Sequence, residues 1–261
     1  MPRSLNDYRV WIDRLRPWLV RDVTVVDERP SLQQVFRQHP QLLIILNHGP
    51  MLGPVPVLLA VADQALRAGG EERRPFGITW RGFYKIPVYR RLMQWLTQVG
   101  AAVSVDKAVE LLADGSFTDC CIMPEGELCN VGNGVDVQPF LSPRFVEVAV
   151  RAGVPVLLVA HHGAGQLGRP LPVDPALMGL FRWMPGHLFS ALQRSRTLSI
   201  PWLLQPRVKR LWLSFELCEL TVGQEDLEAA DAGERIDSEA RRLRARLQMM
   251  VNRLILAAEG D

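Results

Sequence analysis

Lysine is almost absent from this chain: Lys85, Lys107 and Lys209 are the only three, so nearly all of the positive charge is arginine. Arginine suits bidentate contacts with phosphate or carboxylate, but an arginine-rich coding bias produces the same skew, and it names no ligand. With a formal net charge of +2 the chain lacks the excess charge that a polyanion partner would call for, and no nucleic acid is expected. Cysteine is equally sparse. Cys120, Cys121, Cys129 and Cys218 form no C-x-x-C pair and have no histidines at zinc-ligand spacing, which argues against a metal centre and leaves buried thiols in a reducing compartment. The N-terminus has neither an uninterrupted apolar core nor a small-residue cleavage site, so a cytoplasmic protein is expected.

Long apolar runs are missing as well, with one near exception. From Leu42 to Ala62 only Asn47 and His48 are clearly polar. Pro50, Pro54 and Pro56, with Gly49 and Gly53, would break a membrane-spanning helix near its middle, whereas they suit a strand, a tight turn and a helix beginning near Pro54. His48 is thereby placed in a strand-to-helix turn. Neither the G-x-S-x-G elbow of serine hydrolases nor the phosphate-binding P-loop occurs, and no internal repeat is visible.

What the chain does contain is apolar residues, at 48% against 22% charged, over 261 positions, enough for the core of one α/β domain spanning 1–261. Leu5, Tyr8, Ile12, Leu15 and Leu19 recur at helical spacing with Trp11, Trp18, Arg9, Arg14 and Arg16 between them and Arg21 just beyond. Residues 1–21 therefore read as an amphipathic helix, bent or ended around Pro17, that packs on the core or lies on an anionic membrane surface. Strands are expected at Asp22 to Val26, Leu42 to Leu46, Phe76 to Thr79 and Ala102 to Val105, in "FTDCCI", in "VPVLLVA" and in "RLWLSFELCEL". Helices are expected at Pro54 to Ala68, Pro87 to Gln98, up to Leu112, in "PRFVEVAVRAG" and over Leu227 to Ala258. Strands alternating with helices of these lengths imply a layered α/β fold. Residues 181–210, with Trp183, Phe189, Trp202 and several basic side chains among prolines, break the rhythm and are expected to form a cap or a membrane-facing insertion.

Gly163, Gly165 and Gly168 spell G-x-G-x-x-G after a predicted strand, but Pro170 and Pro172 forbid the helix a dinucleotide site needs, and no acidic residue follows at the required distance. There remain two turns at strand ends, "NHGPMLGP" and "MPEGELCN", with the basic, aromatic "WRGFYKIP" between them. In this order the segments resemble the conserved blocks of the glycerolipid acyltransferase superfamily, which includes the 1-acylglycerol-3-phosphate acyltransferases. Asn47, His48 and Pro54 fall in register with its N-H-x-x-x-x-D block. Lys85, Pro87 and Val105-Asp106-Lys107 look like its second block, Met123-Pro124-Glu125-Gly126 like its third, and Val154-Pro155-Val156 like its fourth, over Leu42 to about Gly163.

The resemblance implies a mixed, largely parallel sheet flanked by helices, as in glycerol-3-phosphate acyltransferases. It implies transfer of a fatty acyl group from an acyl thioester, on coenzyme A or acyl carrier protein, to the hydroxyl of a lysolipid or related acceptor, with no separate cofactor and no metal. His48 would be the general base. Asn47, Glu125 and Gly126 would shape the acceptor site, and Arg81, Lys85 and Lys107 would neutralise a phosphate. The setting implied is the inner face of the cytoplasmic membrane, bound peripherally. Two positions depart from the pattern: Gly53 stands where the family has the aspartate that orients the base, and Leu128 where it usually has a phosphate-binding arginine. Asp106, Glu127 and Asp136 are candidates to replace the missing carboxylate. A relative that binds acyl chains or lipids without turnover is the alternative expectation.

Overall fold

The computed structural model describes residues 2–79, 81–85, 87–201 and 207–260, without the side chains of Arg81, Phe83, Val88 and Tyr89. In chain order the elements begin α1 (Leu5–Leu19), β1 (Val20–Arg29), α2 (Leu32–Gln38), β2 (Leu42–Leu46), α3 (Pro54–Arg67), β3 (Pro75–Ile78) and α4 (Pro87–Thr97). They continue with α5 (Val105–Ala113), β4 (Asp119–Ile122), α6 (Arg144–Ala152), β5 (Val156–His162), β6 (Gly168–Pro172), α7 (Gly186–Ser195), β7 (Thr197–Pro201), β8 (Val208–Cys218), α8 (Gln224–Glu228) and α9 (Ala232–Glu259). Among the described residues, six strands form one sheet in the order β1-β8-β5-β2-β4-β3, and β6 and β7 form a separate pair. β5, β2, β4 and β3 run parallel, and β8 is antiparallel to β5 and parallel to β1. The fold is α/β, a mixed and mostly parallel sheet between helices.

The apolar runs explain the layering. Alternate side chains of β5 face opposite layers: Val156, Leu158 and Ala160 pack with α5, α6 and α9, while Leu157 and Val159 pack with α2 and α3. A strand buried on both faces must be apolar throughout, as "VLLVA" is. Each fully buried leucine or isoleucine here, Leu43 and Ile45 among them, contributes about 1.5–3 kcal/mol relative to exposure.

Four expectations change. The strand expected at Ala102 to Val105 is not formed. Ser104 instead accepts a hydrogen bond from the Lys107 N–H (3.2 Å) and starts α5, because an N-cap serine satisfies a donor that a strand would leave free. α1 runs through Pro17 to Leu19, β1 extends beyond the expected limits, and α8 and α9 divide the expected C-terminal helix. Trp202 lies outside the described residues. Within 181–210, Ala191 and Leu192 of α7 pack on Leu128 and Val131. Gly163 to Leu167 form a tight 3₁₀ turn feeding β6, so no dinucleotide-type helix opens after β5.

At the amino-terminal side of the parallel strands sits a buried ion pair. Arg73 (7% exposed) makes a two-pronged contact with Asp119 (2% exposed), donates to the His39 carbonyl (3.1 Å) and stacks on the Phe36 ring at 4.5 Å. Removing one member leaves the other charged and buried, so Asp119→Ala should cost about 3–5 kcal/mol of stability. In urea titrations the double variant Arg73→Met/Asp119→Ala should lose clearly less than the sum of the single variants. Additive losses would contradict this reading of the pair.

Candidate active site

β2, β4 and β5 are parallel, so their carboxyl ends lie on one edge, the place where open α/β sheets form binding crevices. Asn47 continues β2 past its last apolar residue and joins it to β5. Its side-chain amide donates to the His161 carbonyl (3.0 Å) and accepts from the His161 N–H (2.9 Å), acting as an extra rung of the ladder. The His161 ring Nε2 lies 2.8 Å from the Asn47 carbonyl oxygen. A carbonyl can only accept, so Nε2 carries the proton and Nδ1 is an acceptor, one with no hydrogen-bond partner in the protein. Burial pushes the His161 pKa down to about 4, with the nearby His48 and His162 acting the same way against the Asn47 hydrogen bond.

His48 follows in the turn. Its backbone N–H donates to Glu125 Oε1 at 2.6 Å, and the other carboxylate oxygen accepts from the Gln138 N–H at 2.6 Å. Arg244 of α9 holds that second donor in place by donating to the carbonyls of Val137 (2.9 Å) and Gln138 (3.0 Å). Glu125 is 3% exposed, and burial pushes its pKa up to about 7 against the opposing pull of the two N–H bonds and the Arg244 charge. The His48 ring Nδ1 lies 3.2 Å from the Gly49 carbonyl, which places the proton on Nδ1 and leaves Nε2 an acceptor. Burial lowers the His48 pKa, so the ring is neutral near pH 7. Gly49 has φ +64, and a side chain there would meet His161 Cε1 at 3.0 Å; the turn needs glycine on both counts.

The structure thus brings Asn47, His48, Glu125 and Gly126 together. Lys107 stays apart, exposed on α5 and paired with Glu110 at 2.6 Å, and Lys85 is exposed at the end of a 3₁₀ turn. The Arg81 side chain lies outside the described residues. Each oxygen of Glu125 accepts one backbone N–H, so the carboxylate ties two chain segments together. The candidate replacement carboxylates are engaged elsewhere: Asp106 with Arg151 (2.8 Å), Glu127 with His187 (2.6 Å) and Asp136 with Asn133 (2.8 Å). Leu128 is buried among Val131, Ala191 and Leu192. Sequence reasoning missed His161, Gln138 and Arg244. The only signal for His161 was a histidine pair closing an apolar strand, and the other two carry none.

Beside the turn lies a cavity of about 510 Å³, with Asn47 and Gly49 in one wall and His161, His162, Trp212 and Ile255 in others. Among the described residues, no group of three or more His, Cys, Asp or Glu side chains could hold a metal ion.

No protein-family model matches the chain, and no curated protein matches it. Among solved structures it is similar to the crystal structure of the 1-acyl-sn-glycerophosphate (LPA) acyltransferase, PlsC, from Thermotoga maritima. The sequences are 17% identical, the TM-score is 0.48, and the alignment covers 93% of this chain and 77% of that one.

The buried acid and buried histidine oppose each other in pH dependence. Glu125 binds its proton more tightly folded than unfolded, so its stabilising contribution is complete below about 4.5 and is lost as pH rises to about 7. His161 binds its proton less tightly when folded, so its contribution is complete above 6.5 and is lost as pH falls towards about 4. Glu125→Gln should leave the histidine unopposed. Its unfolding free energy should fall more steeply than the wild type's between pH 6.5 and 4.5, by up to about 1.4 kcal/mol per pH unit for one proton. Parallel pH profiles in denaturant titrations would refute the opposition.

Proposed function

We propose that the protein is an acyltransferase that moves a fatty acyl group from a coenzyme A or acyl carrier protein thioester to the hydroxyl of a lipid or glycerophosphate-type acceptor, with His48 as general base. The observation that carries this reading is the His48 imidazole: neutral, with Nδ1 against the Gly49 carbonyl and its turn anchored by a buried glutamate from the third motif block. Nε2 takes the hydroxyl proton as the acceptor oxygen bonds to the thioester carbonyl carbon. The tetrahedral intermediate then collapses, the carbon–sulfur bond breaks, and the imidazolium returns the proton to the leaving thiolate. We assign Glu125 to holding the His48 turn and Gly126, at φ +52, to shaping the adjoining one. A backbone carbonyl fixes the tautomer but stabilises the imidazolium less than a carboxylate does, which favours slow turnover. The same weakness favours the second reading, a relative that binds acyl chains or lipids without transfer.

Gly53 does not have the positive φ that would demand glycine; φ is −62 and ψ is −37. A Cβ there would lie 2.9 Å from the Pro50 carbonyl oxygen, so the turn itself excludes a side chain. His48→Ala should abolish thiol release from acyl-CoA in the presence of lysolipid acceptors while leaving the melting temperature within a few degrees. Gly53→Asp should lower both rate and stability, the latter by about 1 kcal/mol or more, and should not restore a faster dyad. Undiminished release by folded His48→Ala would end the mechanism. Acyl uptake by the wild type without any thiol release would support the binding-only reading instead.

No helix among the described residues is long and apolar enough to cross a membrane. Peripheral attachment at the cytoplasmic membrane face is the setting we assign. α1 buries Leu5 and Ile12 against α3 while Trp18 remains 77% exposed near Arg14. One helix thereby serves core packing with one face and offers an amphipathic surface with the other. Trp18→Ser should weaken co-sedimentation with anionic vesicles severalfold, and wild-type binding should fall as salt rises. Equal pelleting of both proteins would remove this helix from the contact.

A further inference from the structure

The chain between β5 and β8 presents an apolar stripe that neither the core nor acyl transfer at His48 uses. This insertion is fastened beside both motif turns. A Cβ on Gly168, where β6 begins, would collide with Pro50 and with Ser199 of β7, so the β6–β7 pair lies against the turn that carries His48. Ala191 and Leu192 of α7 pack on Leu128 and Val131, just past the Glu125 turn, and His187 of α7 pairs with Glu127 at 2.6 Å. Between β6 and α7 lies the 3₁₀ turn Pro175–Phe181. The same turn geometry continues to Met184, whose N–H donates to the Phe181 carbonyl (3.0 Å). With three residues per turn, side chains three apart stack in rows. One row, Met178, Phe181 and Met184, packs inward with Leu128, Val131, Ala191 and Leu192. The neighbouring row, Leu177, Leu180 and Trp183, is 51%, 68% and 80% exposed. Scattered exposed leucines need no explanation, but a row of large apolar side chains marks a contact surface.

Area and charge decide what covers it. Three such side chains offer on the order of 400–500 Å², about half of the ~800 Å² that each partner of a stable protein complex buries. A bilayer interface sets no such minimum, and leucine and tryptophan are the side chains that enter it. Between Gly168 and Arg196 the chain carries Arg169, Arg182, Arg194 and Arg196 against a single acidic residue, Asp174. Asp174 caps the 3₁₀ turn by accepting from the Ala176 N–H (2.8 Å), and Arg182, beside Trp183, is exposed. The surplus of arginine complements anionic headgroups.

We infer that Leu177, Leu180 and Trp183 insert into the interface of an anionic lipid bilayer while the arginines of the same insertion meet its headgroups, holding at the membrane the element that packs beside both motif turns. The inference rests on the peripheral attachment proposed above, gives it a second element besides α1, and needs no turnover at His48. The test uses the full-length protein with vesicles of equal parts phosphatidylcholine and phosphatidylglycerol, and phosphatidylcholine alone as the uncharged control. Leu180→Ser/Trp183→Ser should weaken co-sedimentation with the anionic vesicles at least about tenfold, and the melting temperature should hold because both side chains are already exposed. Arg182→Glu should weaken the same binding and flatten its dependence on salt. Leu180→Cys protein carrying an environment-sensitive fluorophore should shift its emission to the blue when anionic vesicles are added, a signal that α1 does not supply. A wild type that pellets no better than the double variant, or a fluorophore at position 180 that stays in water, would overturn this surface and leave attachment to α1. A wild type that does not pellet at all would bring down the attachment and this surface together, while thiol release from acyl-CoA judges acyl transfer separately. Equal binding to uncharged vesicles would overturn the charge argument. Self-association of the wild type in sedimentation velocity without vesicles, lost in Leu180→Ser/Trp183→Ser, would give the stripe to a second copy of the chain and overturn the bilayer reading.

Discussion

A single buried carboxylate organises the functional edge of this protein. Glu125 accepts one backbone N–H from the His48 turn and another from Gln138, and Arg244 of α9 fixes the second donor through the neighbouring carbonyls. The His48 turn and the Gln138 segment therefore converge on the two oxygen atoms of one carboxylate, with α9 bracing the second. Hydrogen bonds to a charged acceptor contribute about 1.5–3 kcal/mol each, yet burial still raises the Glu125 pKa to about 7, so desolvation outweighs them. Ionising Glu125 therefore works against the burial that surrounds it even as it strengthens the two N–H bonds.

The second constraint is the Asn47–His161 contact, which lengthens the β2–β5 ladder by one side-chain rung. It settles the tautomer of His161, and a separate backbone contact settles that of His48. His161 has its tautomer set by the Asn47 carbonyl, and His48 has its own set by the carbonyl of Gly49. Backbone carbonyls thus set the tautomers of both rings. A side chain at Gly53 would force the turn to shift, because its Cβ would lie 2.9 Å from the Pro50 carbonyl oxygen.

Local signals carried much of the architecture. Proline and glycine after Leu46 ruled out a spanning helix and placed His48 in a turn, because backbone restrictions of those residues act without tertiary help. The apolar runs of β2 and β5 announced strands buried on two faces. At Ala102 to Val105 the expected strand gives way to a helix, because Ser104 caps its first turn. Lys107 was placed near the candidate site by its similarity to a motif, but on α5 it lies three residues from Glu110 and pairs there, since helical spacing brings such neighbours together.

By itself the sequence determined the α/β layering, the turn that bears His48 and the order of the motif blocks, because periodicity, turn chemistry and composition are properties of neighbouring residues. Tertiary structure alone decided which groups meet. Gln138 reaches Glu125 and Arg244 braces the Gln138 segment, Asp106 and Glu127 turn to other partners, and His161 Nδ1 is buried without a hydrogen-bond partner in the protein. Those outcomes depend on distances across 77 residues between His48 and Glu125 and 114 between Asn47 and His161. Burial and the competition among donors for each acceptor are defined only once the strands have assembled, and no local pattern encodes them.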